Sequence, residues 1–300
     1  MSRSKQTDEK KQTRKAVGER RSPFASGMDF ETSEAYNVLR TNIILSLPHK
    51  RRGNIVGTTS SAPHEGKSYT SVNLSYALAK NGSRTLLVSA DMRKPTVEGY
   101  YEVPLSPGLS NLLVGSVPQD SLMEVIRPLP EYSENLFLLP AGDIPPNPSE
   151  LLGSQNMGDL LRKLATLFDF IILDLPPVTT VVDPVAVSPN LDGMLVVVNH
   201  AYTRRQTLIQ ALKQLRFSGV RILGFVYNGY SRHGSGKRKS YSYKGYDYKS
   251  YDTGSYDPKN RGTEPARRSK TAPDGKPQRN ATERGLAGWV TEATDRDGRF

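Results

Sequence analysis

The stretch NIVGTTSSAPHEGKSYTSVNLSYALAKNG, residues 54–82, decides the fold of this 300-residue chain. It opens with an apolar, β-rich run at 54–60, passes through a loop that ends in Gly66-Lys67-Ser68, and continues as a stretch rich in Ala and Leu. Asn81-Gly82 closes that stretch, as is typical of a helix end. The order predicts a strand, a loop and a helix whose first backbone N–H groups converge on an anion.

Five further apolar runs predict the rest of a sheet. Strands that are apolar at successive positions are buried on both faces, as in a parallel sheet covered by helices. We therefore expect an α/β fold of the P-loop NTPase type, with a doubly wound, mainly parallel sheet, helices on both faces and ligands beyond the carboxyl ends of the strands. The runs are TLLVS (85–89), LFLLP (136–140), FIILDL (170–175), MLVVVN (194–199) and ILGFVYN (222–228).

Composition divides the chain into one domain and its tails. From 231 onward no apolar run is long enough for a buried strand or helix, and the first residues of the chain are equally polar. We expect a basic disordered segment at 1–29, a P-loop domain at 30–230, a tyrosine-rich flexible segment at 231–257 and a low-complexity disordered extension at 258–300.

The net charge of +11 belongs to the tails. Residues 1–22 carry +5, 231–257 carry +3 and 258–300 carry +4, which leaves about −1 for 23–230. Basic tails fit solvated disorder, and they also fit attraction to an anionic membrane face or to nucleic acid. Because a domain that binds nucleic acid concentrates its charge on the fold, nucleic acid is an unexpected partner.

The chain contains no cysteine, which excludes disulfides and thiolate metal sites and allows a cytosolic location. No window approaches the ~18 consecutive apolar residues of a spanning helix, and the N-terminus lacks the apolar core of a signal peptide. We expect a cytoplasmic protein whose association with the plasma membrane is peripheral, through a partner.

The Gly66-Lys67-Ser68 loop is the candidate nucleotide site. Lys67 would reach the terminal phosphates of ATP, and Ser68 would offer a hydroxyl to Mg²⁺. Ser61 stands where a standard P-loop has its first glycine, so a chance Gly-Lys-Ser in an ordinary loop is the alternative for this motif alone. The candidate ATP-binding residues are Pro63, His64, Glu65, Gly66, Lys67, Ser68, Tyr69 and Asn228.

Acidic residues follow two of the predicted strands. Asp174 ends a buried apolar run, where a lone carboxylate is costly unless it meets a cation or a hydrogen-bond donor. The functional interpretation of Asp174 is an acid of the Walker B type, which holds Mg²⁺. Asp91 and Arg93 follow the run 85–89 at the same rim. A strand-end cap is the alternative for either acid, but three strand-end signals in this order favour a nucleotide site.

With these residues established, the chain resembles the CpsD/CapB-like bacterial tyrosine kinases of capsule and exopolysaccharide synthesis, in their single-chain form. The resemblance covers about residues 31–256. The partitioning and septum-site ATPases resemble it in sheet and P-loop, but they carry a signature lysine at the position of Ala62. The matching motifs are EAYNVLRTNI (34–43), the P-loop, DMRKP (91–95), AGDIPPNPSELL (141–152), the strand ending at Asp174 and a C-terminal tyrosine cluster.

The resemblance implies an ATP-dependent protein-tyrosine autokinase. Lys67, Asp91 and Arg93 would be catalytic, and Arg93 would position the acceptor or the phosphate, with a structural salt bridge as the alternative. Ser68, Asp91 and Asp174 would organise Mg²⁺ directly or through water.

One position departs from the family pattern. The second Walker-like strand of the family usually ends Asp-x-Asp-x-Arg, and its first acid is thought to accept the tyrosine proton. Ser89 occupies that position here. Because a general base is commonly worth about 10²–10⁴ in rate, we expect weak turnover and a faster reaction when aspartate is restored.

Six tyrosines lie in a Gly/Ser/Lys/Asp background that cannot build a core. The resemblance implies that they are autophosphorylation sites that enter the active site of another subunit. Stacking on single-stranded nucleic acid and adhesive low complexity are the alternatives. The six are Tyr241, Tyr243, Tyr246, Tyr248, Tyr251 and Tyr256.

The resemblance also implies partners. Glu34 and Arg40 match two positions of the family's Glu-x-x-Arg-x-x-Arg ring interface, with Asn37 in the middle, so we expect a homo-oligomeric ring; an exposed helix pair is the alternative. A separate transmembrane adaptor of the polysaccharide co-polymerase type would dock near the P-loop, and a cognate tyrosine phosphatase would reverse the reaction.

The sequence leaves two other functions open. The first is an ATP-switched assembly subunit of the same polysaccharide machinery, which has lost kinase activity through Ser89 but keeps every binding residue. The second is a nucleic-acid-associated ATPase that uses its basic tails, and its DNA affinity would fall steeply with salt.

Overall fold

The computed structural model describes residue 28 and residues 30–48, 52–118 and 121–229. The expected tail segments at 1–29, 231–257 and 258–300, apart from residue 28, and with them the six tyrosines, lie outside the described residues. All structural statements below concern the described ranges.

A seven-stranded sheet forms the centre of the domain. Its order is β3-β4-β2-β5-β1-β6-β7, and every neighbouring pair is parallel except β3 with β4. The non-sequential order places strands on both sides of β1, which is the doubly wound arrangement. The strands are β1 (Asn54–Ser60), β2 (Thr85–Ser89), β3 (Arg127–Pro128), β4 (Leu136–Leu139), β5 (Phe170–Asp174), β6 (Gly193–Asn199) and β7 (Ile222–Asn228).

Helices cover both faces of this sheet. Ile43 and Leu78 belong to the core on one face, and Leu160 and Leu215 belong to the core on the other. The helices are α1 (Phe30–Ser46), α2 (Lys67–Lys80), α3 (Glu98–Tyr101), α4 (Leu109–Leu113), α5 (Leu122–Val125), α6 (Pro148–Leu152), α7 (Gln155–Leu164), α8 (Asp183–Val187), a 3₁₀ turn (Ser188–Asn190) and α9 (Arg205–Phe217). The predicted fold class is confirmed.

Six of the seven strands coincide with the predicted apolar runs, and β1, β2 and β7 have the predicted bounds. Helix α2 ends at Lys80 as predicted, and Gly82 follows it with φ 88°. The short strand β3 was not predicted, because two residues that include Pro128 carry no periodic signal.

The register of the sheet brings the functional strand ends to one level. Asp174 of β5 pairs with Thr58 of β1 on one side and with Ser89 of β2 on the other. Residues that follow β1, β2 and β5 therefore meet at the same carboxyl-end rim, where doubly wound folds bind ligands.

Candidate functional site

The loop between β1 and α2 has the backbone of a phosphate-binding turn. Gly66, the residue before α2, adopts φ 93° and ψ 22°, a left-handed conformation that favours glycine. A Cβ atom at Gly66 would lie 1.9 Å from Nδ2 of Asn228, so a larger residue would displace that side chain. The same Nδ2 donates to the carbonyl of Glu65 at 3.1 Å. Asn228, at the end of β7, thus supports the loop from behind.

Glu65 braces the loop. Its fully buried carboxylate accepts hydrogen bonds from the Ser61 N–H at 2.7 Å, the Ser61 hydroxyl at 2.8 Å and the Ala62 N–H at 3.0 Å. The hydroxyl of Thr203 also donates to it. The side chain of Glu65 is therefore committed to shaping the turn, and Ser61, which replaces the usual first glycine, takes part in that brace.

A cavity of about 410 Å³ lies in front of the loop. Six of the eight residues expected to bind ATP line it together with Asp91 and Arg93: Pro63, His64, Gly66, Lys67, Ser68 and Tyr69. Glu65 and Asn228 lie behind the loop. The lining residues that sequence reasoning missed are Lys94, Thr96, Tyr100, Pro176, Pro177, Thr180 and Val181.

Asp174 lies beneath this cavity and receives two hydroxyls of α2. Ser68 donates to its Oδ2 at 2.6 Å, and Ser71 donates to its Oδ1 at 3.1 Å. Thr96 in turn donates to the Ser68 hydroxyl at 3.0 Å. Burial raises the pKa of Asp174, although Lys67 and the two serine hydroxyls act in the opposite direction. Sequence reasoning missed Ser71, which lies one helical turn after Ser68.

Lys67 is attracted to both acids of the site, Asp91 and Asp174. Its Nζ lies 2.8 Å from Oδ2 of Asp91, and both side chains are mostly buried, 12% and 7% exposed. Burial alone would lower the pKa of Lys67, but the attraction of Asp174 and of Asp91 outweighs it and raises the pKa above its usual value. The other oxygen of Asp91 accepts from the Lys94 N–H at 3.1 Å, which fixes the loop after β2. Lys67 is thus held as a cation at the cavity wall.

Arg93 makes a two-point contact with an acid that the sequence did not single out. Its Nε donates to Oδ2 of Asp183 at 2.9 Å and its Nη2 donates to Oδ1 at 3.0 Å. Ser149 links to both, since it accepts from Nη2 at 3.0 Å and donates to Asp183 at 2.5 Å. The hydrogen bonds to Asp183 raise the pKa of Arg93 above its usual range. This clamp ties the loop after β2 to the starts of α6 and α8.

Ser89 is fully buried at the end of β2, and its hydroxyl has no hydrogen-bond partner within the described part of the chain. It lies beside Asp174 in the sheet register. A carboxylate placed here would adjoin Asp174, so the serine removes one negative charge from a rim that already holds two acids and one lysine.

The chemistry of these groups fits a nucleotide and Mg²⁺. A glycine-turned helix start and a lysine at the cavity wall match a phosphate chain. Mg²⁺ takes one or two carboxylates together with phosphate oxygens, and Ser68, Asp91 and Asp174 supply hard oxygen donors of that kind. Among the described residues, no group of three or more His, Cys, Asp or Glu side chains lies close enough together to hold a metal ion.

Glu34 and Arg40 lie on α1, away from the cavity lining. Asn37 connects them, since its Nδ2 donates to Glu34 at 2.8 Å and its Oδ1 accepts from Arg40 at 3.2 Å. Arg40 also donates to the carbonyl of Ala77 in α2 at 3.4 Å. The three positions therefore form a hydrogen-bonded row within one chain, with Glu34 exposed at its end.

The chain is similar to known proteins over this domain. The family model described as an AAA domain matches residues 64–218. The tyrosine-protein kinase YwqD of Bacillus subtilis is 32% identical over 197 residues, which cover 66% of this chain and 81% of YwqD. The tyrosine-protein kinase Ptk of Acinetobacter johnsonii is 35% identical over 201 residues, but the match spans only 26% of its length.

A solved structure agrees with these relatives. The kinase domain of the Escherichia coli tyrosine kinase ETK superposes with a TM-score of 0.63 at 28% identity, over 70% of this chain and 80% of that domain. No helix in the described ranges is both long and apolar enough to cross a membrane.

Proposed function

This chain belongs to the bacterial tyrosine kinases, and we propose that it transfers phosphate from ATP to its own C-terminal tyrosines and so regulates the synthesis, chain length or export of a capsular polysaccharide or exopolysaccharide. Protein-tyrosine kinase activity follows from its relatives. The proposed acceptors are Tyr241, Tyr243, Tyr246, Tyr248, Tyr251 and Tyr256.

One observation carries the proposal: Lys67, Ser68, Asp91 and Asp174 form one hydrogen-bonded group at the start of α2 and the ends of two parallel strands. Phosphoryl transfer needs positive charge and oriented donors around the transferred group more than it needs covalent catalysis. The arrangement supports phosphate binding by the loop amides and Lys67, with the two acids and Ser68 as Mg²⁺ ligands. Mg²⁺ would neutralise charge on the phosphates.

In the proposed reaction the tyrosine oxygen bonds to the γ-phosphorus while the bond to the β-phosphate oxygen breaks, and ADP leaves. The tyrosine proton passes to water, since Ser89 offers no carboxylate to take it. A loose transition state requires little deprotonation early on, so the reaction proceeds without a strong base, but slowly. Lys67 has three donors, which allows it to bind phosphate oxygens while it keeps Asp91.

We further propose the setting of the reaction. An adaptor in the membrane holds the kinase at the inner face of the plasma membrane and stimulates it near the P-loop. A ring formed through Glu34 and Arg40 presents the tyrosines of one subunit to the next, and a phosphatase resets them. Each added phosphate contributes about −1.5 to −2 charge, so phosphates on several tyrosines would reverse the positive charge of residues 231–257 and disperse the ring.

The test is phosphotyrosine mass spectrometry on the full chain incubated with Mg²⁺ and ATP, with and without the cytoplasmic segment of a membrane adaptor encoded beside it. Lys67→Met serves as the blank, and a chain with phenylalanine at all six tyrosines serves as the acceptor control. Phosphate on 241–256 that disappears in both variants is the expected result. If residues 241–256 carry no phosphate although the chain binds ATP and the adaptor, the chain would instead be the ATP-switched assembly subunit.

A further inference from the structure

The outer face of α9 combines cations with exposed apolar side chains. Ile209, Lys213, Arg216 and Phe217 follow at spacings of four, three and one, so they share one side of the helix. Ile209 is 36% exposed and Phe217 is 92% exposed. Lys213 and Arg216 are exposed as well. We call these four residues the α9 face.

An apolar groove extends this surface. A depression of about 570 Å³ lies between α9 and the segment 178–185, and Lys213 and Phe217 contribute to its wall. Val182, on the opposite wall, is 56% exposed. The apolar surface therefore continues from α9 to a second segment of the chain. It is larger than the surface of a single exposed apolar residue.

The charge of this part of the chain has one sign. No Asp or Glu occurs from 193 to 229, whereas that range holds five Lys and Arg residues. Neither Lys213 nor Arg216 has an ion-pair partner within the described ranges. The rest of the domain, residues 23–192, holds 12 Lys and Arg against 18 Asp and Glu, a net charge of −6. The α9 face is therefore a local positive patch on an otherwise acidic domain.

We propose that the α9 face binds the surface of an anionic lipid bilayer. Phe217, Ile209 and Val182 would enter the boundary between headgroups and acyl chains, and Lys213 and Arg216 would contact lipid phosphates. This goes beyond the proposed function, in which a protein adaptor holds the kinase at the membrane.

The side-chain types favour lipid over other anionic partners. Single-stranded nucleic acid is bound by aromatic rings that stack on bases, and Ile209 and Val182 cannot stack. An interfacial surface, in contrast, needs aliphatic and aromatic groups beside unpaired cations. Weak apolar insertion and weak charge attraction add together, as in other peripheral proteins that need two signals.

The position of the groove gives the contact a consequence. Thr180 and Val181 line both the groove and the nucleotide cavity. A bilayer on the α9 face would thus lie beside the catalytic cavity, where the cytoplasmic end of a membrane protein could reach it.

The first test is co-sedimentation of the full chain with vesicles of phosphatidylglycerol and phosphatidylcholine, without ATP. The basic tails are present in every variant, so differences between variants report the α9 face. Lys213→Glu/Arg216→Glu should weaken vesicle affinity about tenfold or more, since two cations that attract anionic lipid become anions that repel it. Phe217→Ser should weaken it roughly fivefold with no change in charge. Arg162→Glu/Lys163→Glu, the matched charge change on α7, should have a small effect.

The second test places the reporter in the face. Phe217→Trp/Trp289→Phe leaves a single tryptophan at position 217, and its emission should shift to the blue with anionic vesicles but not with phosphatidylcholine alone. Brominated lipids should quench it. These measurements need no catalysis, so they can fail while autophosphorylation succeeds, and the reverse.

Three results would overturn the proposal. In the first, the α7 control and the α9 variant weaken vesicle binding equally, and the emission of the tryptophan at position 217 does not shift with vesicles. The basic tails would then be responsible for the binding. Another is loss of affinity for single-stranded DNA or polyglutamate in the α9 variants with unchanged vesicle binding. The third is a change in oligomer mass in Phe217→Ser without lipid and with vesicle binding retained, which would make the face a contact between copies of the chain.

Discussion

The short loop after β2 contributes one residue to each of two ion pairs, and the two pairs differ in geometry and burial. Lys67 and Asp91 meet at a single 2.8 Å contact between two mostly buried side chains at the cavity wall. Arg93 and Asp183 meet through two contacts of 2.9 and 3.0 Å, with the arginine 39% exposed and the aspartate fully buried. Ser149 adds a further bond to both members of the second pair.

The difference separates a pair that can share its charge from one that holds a loop in place. An ammonium group has three rotatable donors and can turn part of its contact toward phosphate. A guanidinium that faces a carboxylate with two parallel bonds is fixed in direction. Of the two interpretations of Arg93, the salt bridge therefore accounts for its contacts, and we interpret Arg93 as a positioning residue that holds Asp91 against Lys67.

The largest expected effect breaks the first pair. Lys67→Met should lower the autophosphorylation rate by about 10²-fold or more, since it removes a charged donor from the transferred phosphate. The variant should fold but with lower stability, because the mostly buried Asp91 loses its cation. The rate is measured by quantitative phosphotyrosine mass spectrometry and the fold by urea denaturation. Lys80→Met, at the exposed end of the same helix, is the matched control and should retain the rate.

The next largest effect is expected from a substitution that adds a negative charge near the first pair. Ser89→Asp should raise the rate by about 10–10²-fold, below the full value of a general base, because a buried acid beside Asp174 titrates high. The same change should lower the free energy of unfolding. Ser89→Asn places a similar shape there without charge and should leave the rate near that of the parent chain. Equal rates in the two variants would show that position 89 does not accept the proton.

The sequence singled out both residues of the first pair but not Asp183 of the second, and the reason is distance along the chain. Lys67 belongs to a local motif, and Asp91 and Asp174 lie at or just beyond the ends of apolar runs that are recognisable by themselves. Asp183 lies 90 positions from Arg93, in a helix of five residues with no pattern of its own. Thr203 lies 138 positions from Glu65, so the brace of the P-loop was equally hidden. Local periodicity identifies strands and their ends, whereas partners across the rim depend on the tertiary fold.

A moderate effect breaks the second pair. Asp183→Asn should lower the free energy of unfolding by about 1–2 kcal/mol, less than for a fully buried pair because Arg93 is partly exposed to water. The phosphorylation rate should fall severalfold, as the loop that carries Asp91 loosens. Urea denaturation and the initial rate are the measurements.

Asp192→Asn supplies the comparison for that variant. Asp192 has a side chain that is only 6% exposed and pairs with the exposed Arg52 at 3.2 Å, away from the cavity lining. Its loss should cost similar stability with little change in rate. If both variants lower the rate equally, Arg93 acts through general stability rather than through the position of Asp91.

The smallest effect is the dependence of stability on pH, and it comes from Asp174, which is attracted to Lys67 of the first pair but not to Arg93 of the second. Burial raises the pKa of Asp174, so the folded chain retains this proton to a higher pH than the unfolded chain does. The contribution of Asp174 to stability is therefore greatest below the unfolded value of about 4 and is lost as the pH rises through the raised pKa. The stability of Asp174→Asn relative to the parent chain, measured by urea denaturation in EDTA, should therefore increase as the pH rises above about 4. This increase in relative stability should be larger when both chains also carry Lys67→Met, since Lys67 lowers the pKa of Asp174. It should be unchanged when both chains carry Asp183→Asn, because the Arg93 clamp does not face Asp174.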